Sequence, residues 1–173
     1  MKALPRKGSF IIPAVFILFF NFSVHAQEKK EVRDSLYSVI YFGATSCYYC
    51  NTPENIANIS KMVNEIKTQY KGLNIKTLIV SMDEEIPMGL KFIQKYDTTW
   101  DEIAIGSFYK NELAIIYLNK TKIPGVPHIV VIKHFTKKGE YNIQQIVKDE
   151  ILVDLVGGTQ IDKWLKDGYL FKK

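Results

Sequence analysis

A short apolar run, "LYSVIYFG" from Leu36 to Gly43, leads into a Cys-x-x-Cys pair and then an amphipathic helix pattern. Few folds accept that junction. The run is β-branched and aromatic and apolar nearly throughout, as a central strand buried on both faces should be. Beyond Cys47 and Cys50, the residues Ile56, Ile59, Met62, Val63, Ile66 and Tyr70 recur at three- and four-residue steps. That period is a helix with one inward stripe, and Gly72 follows as its stop signal. "LNIKTLIVSM" from Leu73 to Met82 then reads as a second strand. Strand, helix and strand at this spacing predict a parallel pair joined by a right-handed crossover, with both cysteines where the first strand gives way to the first helix.

The rest of the chain is less periodic. Pro87 is placed to open a helix at its first position, with Leu90, Ile93 and Tyr96 inward. From Asp97 to Asn111, Trp100, Ile103, Ile105 and Phe108 are packing residues without a clear period. Glu112 to Leu118 reads as helix, and "KIPGVPHIVVIKHF" brings a turn and a third strand from about His128 to Phe135. Gly139 marks a hairpin into a strand between Tyr141 and Val156, for which two apolar stretches compete. Thr159 with Asp162 resembles a capping box for a last helix that buries Ile161, Trp164 and Leu165 and stops at Gly168. The expected fold is α/β: a mixed sheet flanked by helices, ordered β-α-β-(insert)-α-β-β-α.

The N-terminus reads as an export signal. Lys2, Arg6 and Lys7 precede the apolar run Phe10–Phe22, and Val24 and Ala26 have the spacing a signal peptidase accepts. The run is too short for a membrane span, which needs about 20 apolar residues. Cleavage is expected after Ala26, giving a signal peptide 1–26, a charged flexible lead-in 27–35 and one domain 36–173. No cysteine ends the apolar run, so a lipoprotein is not indicated. The chain carries 23 basic and 18 acidic residues; removing the three basic leader residues leaves 20 against 18, a balance of +2. The basicity is partly a targeting signal, and no nucleic-acid partner is expected. An exported chain is periplasmic in a Gram-negative cell and secreted otherwise.

Two cysteines three apart could be a metal clip, a structural staple or a working redox pair. Export permits disulfides. Loop-closure stabilisation grows with loop length, so this pair makes a poor staple. A zinc site wants four ligands, and beyond the leader only His128 and His134 could add to the two thiols. A thiol at a helix N-terminus is more readily ionised, and the thiolate is the attacking species. Cys47 at the exposed end is the expected nucleophile, and Cys50, one turn further in, the resolving thiol.

On the strand–CxxC–helix unit and "IPGVPHIVV", the chain resembles the thioredoxin superfamily over roughly Leu36 to Lys166. Within it, the chain resembles more closely the exported thioredoxin-like proteins that carry an insertion between the second strand and the second long helix. The resemblance implies a cis peptide bond before Pro127, with the Val126 backbone free to pair with an extended substrate segment beside Cys47. Tyr48, Tyr49, Val126 and Pro127 are then the candidate substrate-binding residues. The implied activity is thiol–disulfide exchange, with no cofactor beyond the redox-active Cys47–Cys50 disulfide. The implied partners are proteins bearing thiols or disulfides and an upstream thiol donor or acceptor, a membrane-bound one among the candidates. The central insertion resembles that of membrane-tethered reductases serving cytochrome c maturation, which favours the reductase direction.

The chain also departs from the pattern. Ser46 stands where thioredoxin has Trp, and Tyr48-Tyr49 where it has Gly-Pro. Tyr41 stands where it has a buried Asp; Glu54 is a weak substitute for that acid, more simply read as a solvated first-turn residue. Pro53 should kink the helix just past the pair. His128, beside Pro127, is within reach of the disulfide or simply packed. The alternative function is a thioredoxin-fold binding or metal-delivery module, although copper-delivery relatives space their cysteines by three residues and add a histidine. A peroxidase is disfavoured, because the only arginine beyond the leader is Arg33, in the lead-in.

Overall fold

The computed structural model describes residues 34–107, 110–169 and 171, so the leader, the cleavage point after Ala26 and most of the lead-in lie outside the described residues. Strand β1 (Asp34–Gly43) takes in the last two residues of the expected lead-in, because Asp34 and Ser35 pair with Thr136 and Phe135. It runs parallel to β2 (Asn74–Ser81), with helix α1 (Pro53–Gln69) between them in the chain. β2 pairs in parallel with β3 (Glu102–Ile105). On the other side, β1 lies antiparallel to β4 (His128–Lys138), and β4 antiparallel to β5 (Gln144–Val156). The sheet order is β3-β2-β1-β4-β5, and the described residues fall in one compact unit.

Both apolar stretches that compete for the fifth strand belong to it. β5 is one long strand, and register shifts at Val131/Ile132 and Phe135/Thr136 accommodate its irregularities. β3 comes from the insert and closes one edge of the sheet. Trp100 is buried as expected, whereas Ile103, on that edge strand, is 56% exposed; Phe108 lies outside the described residues.

The helices follow their caps. Thr52 Oγ1 accepts a hydrogen bond from Asn55 N (3.3 Å), Pro53 takes the first helical position, and Glu54 is an exposed acid in the first turn of α1. Ile59, Met62, Val63 and Ile66 form its buried stripe. Each contributes about 1.5–3 kcal/mol by leaving water. Gly72, at φ +88°, turns the chain after it.

Helix α2 (Ile86–Ile93) has Pro87 at its second residue rather than its first. Its inward residues are Gly89, Phe92 and Ile93, with Tyr96 following, while Leu90 is 45% exposed, contrary to expectation. Gly89 explains the rotation. A Cβ there would stand 2.3 Å from Ile105, so the helix presses its glycine on the sheet and turns Leu90 outward. Helix α3 (Glu112–Tyr117) is capped by Asn111, whose side chain accepts from Leu113 N and Ala114 N.

Helix α4 (Gly158–Lys166) buries Ile161, Trp164 and Leu165 as expected, but the capping box does not form. Its N-cap is Gly157 at φ +82°, a conformation that glycine adopts freely, and Thr159 lies inside the helix. The sheet separates two cores. Tyr37, Val39, Tyr41, Cys50, Ile129 and Val131 lie on one face with α1, α2 and α4, and Ile40, Phe42, Val130 and Ile132 on the other with α3. No helix among the described residues is long and apolar enough to cross a membrane.

Candidate active site

Beyond β1 the chain turns at once. Cys47 N donates to Ala44 O (3.2 Å), and residues Tyr49–Asn51 make one 3₁₀ turn. The turn stops at Thr52, whose backbone is extended, so Pro53 begins a separate helix and does not kink a continuous one. The thiol pair therefore lies before α1 and not in its first turn. Thr52 N and Thr52 Oγ1 both donate to the Tyr49 carbonyl, which Pro53 cannot serve.

Three side chains hold this turn, and of them the sequence pattern singles out only Tyr96, as an inward packing residue. Asn51 Nδ2 donates to the carbonyls of Ala44 (3.2 Å), Thr45 (3.0 Å) and Cys47 (2.5 Å), and Asn51 Oδ1 accepts from Lys95 Nζ. Asp83, buried just past β2, accepts from Thr45 N (3.1 Å to each oxygen), Thr45 Oγ1 and Ser81 Oγ (2.7 Å). Tyr96 Oη donates to the Cys50 carbonyl (3.0 Å). These contacts fix the loop from in front, from the neighbouring strand and from behind.

Cys47 and Cys50 form a disulfide with Cα atoms 5.3 Å apart. Cys50 is fully buried in the α1 face core, whereas Cys47 is partly exposed at its edge. Cys50 N points at Cys47 Sγ (3.2 Å), supplying one local donor to that sulfur. The two tyrosines diverge. Tyr48 is 87% exposed. Tyr49 is held: its hydroxyl donates to Asp162 of α4, and its ring lies over Gly158, where an added Cβ would stand 2.2 Å from the ring. Burial, and then the Asp162 carboxylate, raise the Tyr49 phenol well above its ordinary value.

Behind Cys50, Tyr41 occupies the place of the acid that the resemblance implies. Its hydroxyl accepts from Asn55 Nδ2 (2.9 Å) and lies 3.1 Å from Tyr96 Oη. Burial raises both phenols, so both remain protonated through the neutral range. Glu54 is an exposed first-turn acid, as its plainer reading had it.

His128 faces away from the disulfide. Side chains alternate along β4, and Ile129 and Val131 take the disulfide side, which leaves His128 on the other. There it packs edge-on to Phe42 and bonds through Nε2 to Asp154 Oδ1 (2.7 Å). Pro127 directly precedes β4, and the pairing of His128 with Phe42 sets it beside Gly43, at the foot of the cysteine turn. The Val126–Pro127 peptide is cis. The fold is thioredoxin-like.

In this thioredoxin-like arrangement the pair sits at the carboxyl end of β1, where the chain goes to β2 on one side and later to β4 on the other. Such a switch point opens a crevice in α/β sheets. Val126 packs against both cores and, with Met82, Glu84, Ser107, Leu118, Pro124 and Gly125, lines a cavity of about 480 Å³. Among the described residues, no group of three or more His, Cys, Asp or Glu side chains is arranged to hold a metal.

No protein-family model and no curated protein matches the chain. Solved structures match at low identity. The thioredoxin domain of a thiol-disulfide oxidoreductase from Bacteroides vulgatus is 14% identical, with a TM-score of 0.44 over 76% of this chain and 77% of that one. A thiol-disulfide oxidoreductase from Bacteroides fragilis is 20% identical, with a TM-score of 0.43 over 76% and 80%. Copper-bound ScoI of Arabidopsis thaliana is 14% identical, with a TM-score of 0.38 over 77% and 81%. The fold assignment rests on the chain's own topology and on the position of its cysteine pair.

Proposed function

We propose that the protein is an exported thiol–disulfide oxidoreductase acting on protein substrates, with electrons flowing from the Cys47–Cys50 dithiol to the substrate. The observation that carries this reading is the asymmetry of the pair. Cys47 is partly exposed at the turn, Cys50 is fully buried, and a disulfide joins them. Cys47 thiolate attacks a substrate disulfide, one substrate sulfur leaves as a thiol, and Cys50 then attacks the mixed disulfide to release the second. Val126 lies outside the β4 ladder, which begins at His128, so its backbone can receive an extended substrate segment beside Pro127. Exposed Tyr48 is available to touch that segment; Tyr49 is turned inward and acts on the turn instead.

The export signal supports a periplasmic or secreted location, and an upstream thiol donor would return the pair to its dithiol form. The test is the equilibrium of the pair with glutathione, measured beside insulin reduction. The reading expects exchange in the wild type and none in Cys47→Ser. Equal insulin reduction by the two proteins would overturn it, and copper or zinc retained in stoichiometric amount would favour a metal-delivery module.

A further inference from the structure

We propose that the Tyr49–Asp162 bond is a tether that biases the cysteine pair toward its disulfide form, making Asp162 a positioning residue for the redox reaction. The inference rests on the reading of Cys47 and Cys50 as an exchanging pair, and it gives a structural cause for the reductase direction.

Tyr49 lies between the two cysteines, so its backbone belongs to the segment that must change when the disulfide opens. Its side chain leaves that segment and bonds to a residue 113 positions away. The far end of the bond is well fixed. Asp162 sits on α4 between Ile161 and Trp164, both buried, and Leu165 follows in the same core. Among the described residues the second Asp162 oxygen is buried with no hydrogen-bond partner, so the phenol is the contact that serves this carboxylate there. Gly158, one turn earlier, clears the space the ring needs: an added Cβ would fall 2.2 Å from Tyr49 Cζ. On the other side of the pair, Asn51 grips the Cys47 carbonyl.

With both sides held, opening the disulfide releases little chain freedom. The dithiol keeps its two sulfurs close, at a high effective concentration for reclosure. A pair that recloses readily is a better electron donor. Loss of the tether should therefore favour the dithiol.

The reaction that reads this is exchange with glutathione. Two glutathione thiols become one glutathione disulfide while the Cys47 and Cys50 sulfurs take up two electrons and two protons. In Tyr49→Phe and in Asp162→Ala, which each remove one partner of the bond, the equilibrium should shift toward the dithiol by about tenfold, equivalent to about 30 mV for a two-electron couple. The double variant should shift no further than either single one, because the two changes cut one contact. Asp167→Asn, which removes a charge at the C-cap of α4 outside this contact, should leave the equilibrium unchanged. Tyr49→Phe keeps the ring over Gly158 and carries the test alone if Asp162→Ala does not fold, as read by near-ultraviolet circular dichroism. Wild-type exchange with unchanged variants, or additive shifts in the double variant, would overturn the tether alone. A wild-type pair that exchanges with no thiol would overturn the redox reading and the tether with it.

Discussion

The two faces of the sheet bury their polar groups with different chemistry. Behind the disulfide lie two phenols and an amide: Tyr41, Tyr96 and Asn55, joined to one another and to the Cys50 carbonyl. On the opposite face, His128 pairs with Asp154, and His134 bridges Asp149 (2.8 Å) and Ser38 (2.9 Å). Adjacent residues of β1 divide between them, Tyr41 on the first face and Phe42 on the second. The difference lies in what stands directly behind Cys50. Phenols and amides keep one charge state across the neutral range, so the bonds behind Cys50 persist where a buried acid would titrate. The carboxylate–imidazole pairs are kept on the face where the disulfide is not.

The largest effect expected from this division is mechanical. Phe42→Ala empties a fully buried site on the far face and should cost about 3–5 kcal/mol in denaturant unfolding. If the faces are separable, the folded variant should retain the glutathione equilibrium of the wild type. A shift of tenfold or more would break the comparison.

A smaller effect belongs to the near face. Tyr96→Phe removes the hydroxyl that serves the Cys50 carbonyl and neighbours Tyr41. It should cost about 1–3 kcal/mol, the range for leaving buried polar groups short of a partner. Stability unchanged by calorimetry would mean that this cluster does not hold the turn.

The smallest effect, and the one that sharpens the contrast, is in pH dependence. Partial burial works against the Asp149 carboxylate, but the bonds from His134 and Lys120 outweigh it and hold the group below the ordinary carboxylate range. An acid lowered in the folded state adds stability above its unfolded value, about pH 4, and loses it as pH falls through the folded value. Asp101, bonded to Lys67 and Thr77 against its own partial burial, shares that acid limb. The phenols behave in the reverse sense. Burial raises Tyr41 and Tyr96, so their contribution is complete below about pH 10 and is lost as pH rises further. The unfolding profile should therefore fall at both ends, with Asp149→Asn flattening the acid limb and Tyr41→Phe the alkaline one. An acid limb untouched by Asp149→Asn would contradict the assignment.

Much of this architecture is legible in the chain because it is local. The period of α1, the apolar runs of β1 and β2, and the place of the cysteines between them need only neighbours in sequence. The parts that elude such reading join distant residues. Asp162 looks like a capping-box acid, since nothing nearby reveals that Gly157 caps the helix or that Tyr49 claims the carboxylate. Asp83 and Asn51 carry no period, yet they hold the loop before Cys47 through bonds to backbone atoms that sequence does not display. Leu90 turns outward because Gly89 must touch β3, a strand whose place at the sheet edge is tertiary. His128 is a further case: Ile129, Val130, Val131 and Ile132 are all buried, so the apolar run does not say which face His128 takes, and its contacts with Phe42 and Asp154 do.

The central claim, that Cys47 attacks and Cys50 resolves, is tested most directly by trapping. Cys50→Ser and Cys47→Ser proteins are each incubated with glutathione disulfide and weighed by mass spectrometry. The account predicts one glutathione captured on Cys47 in the Cys50→Ser variant and almost none on the buried Cys50 in the Cys47→Ser variant. Equal capture by both, or faster capture on Cys50, would contradict it.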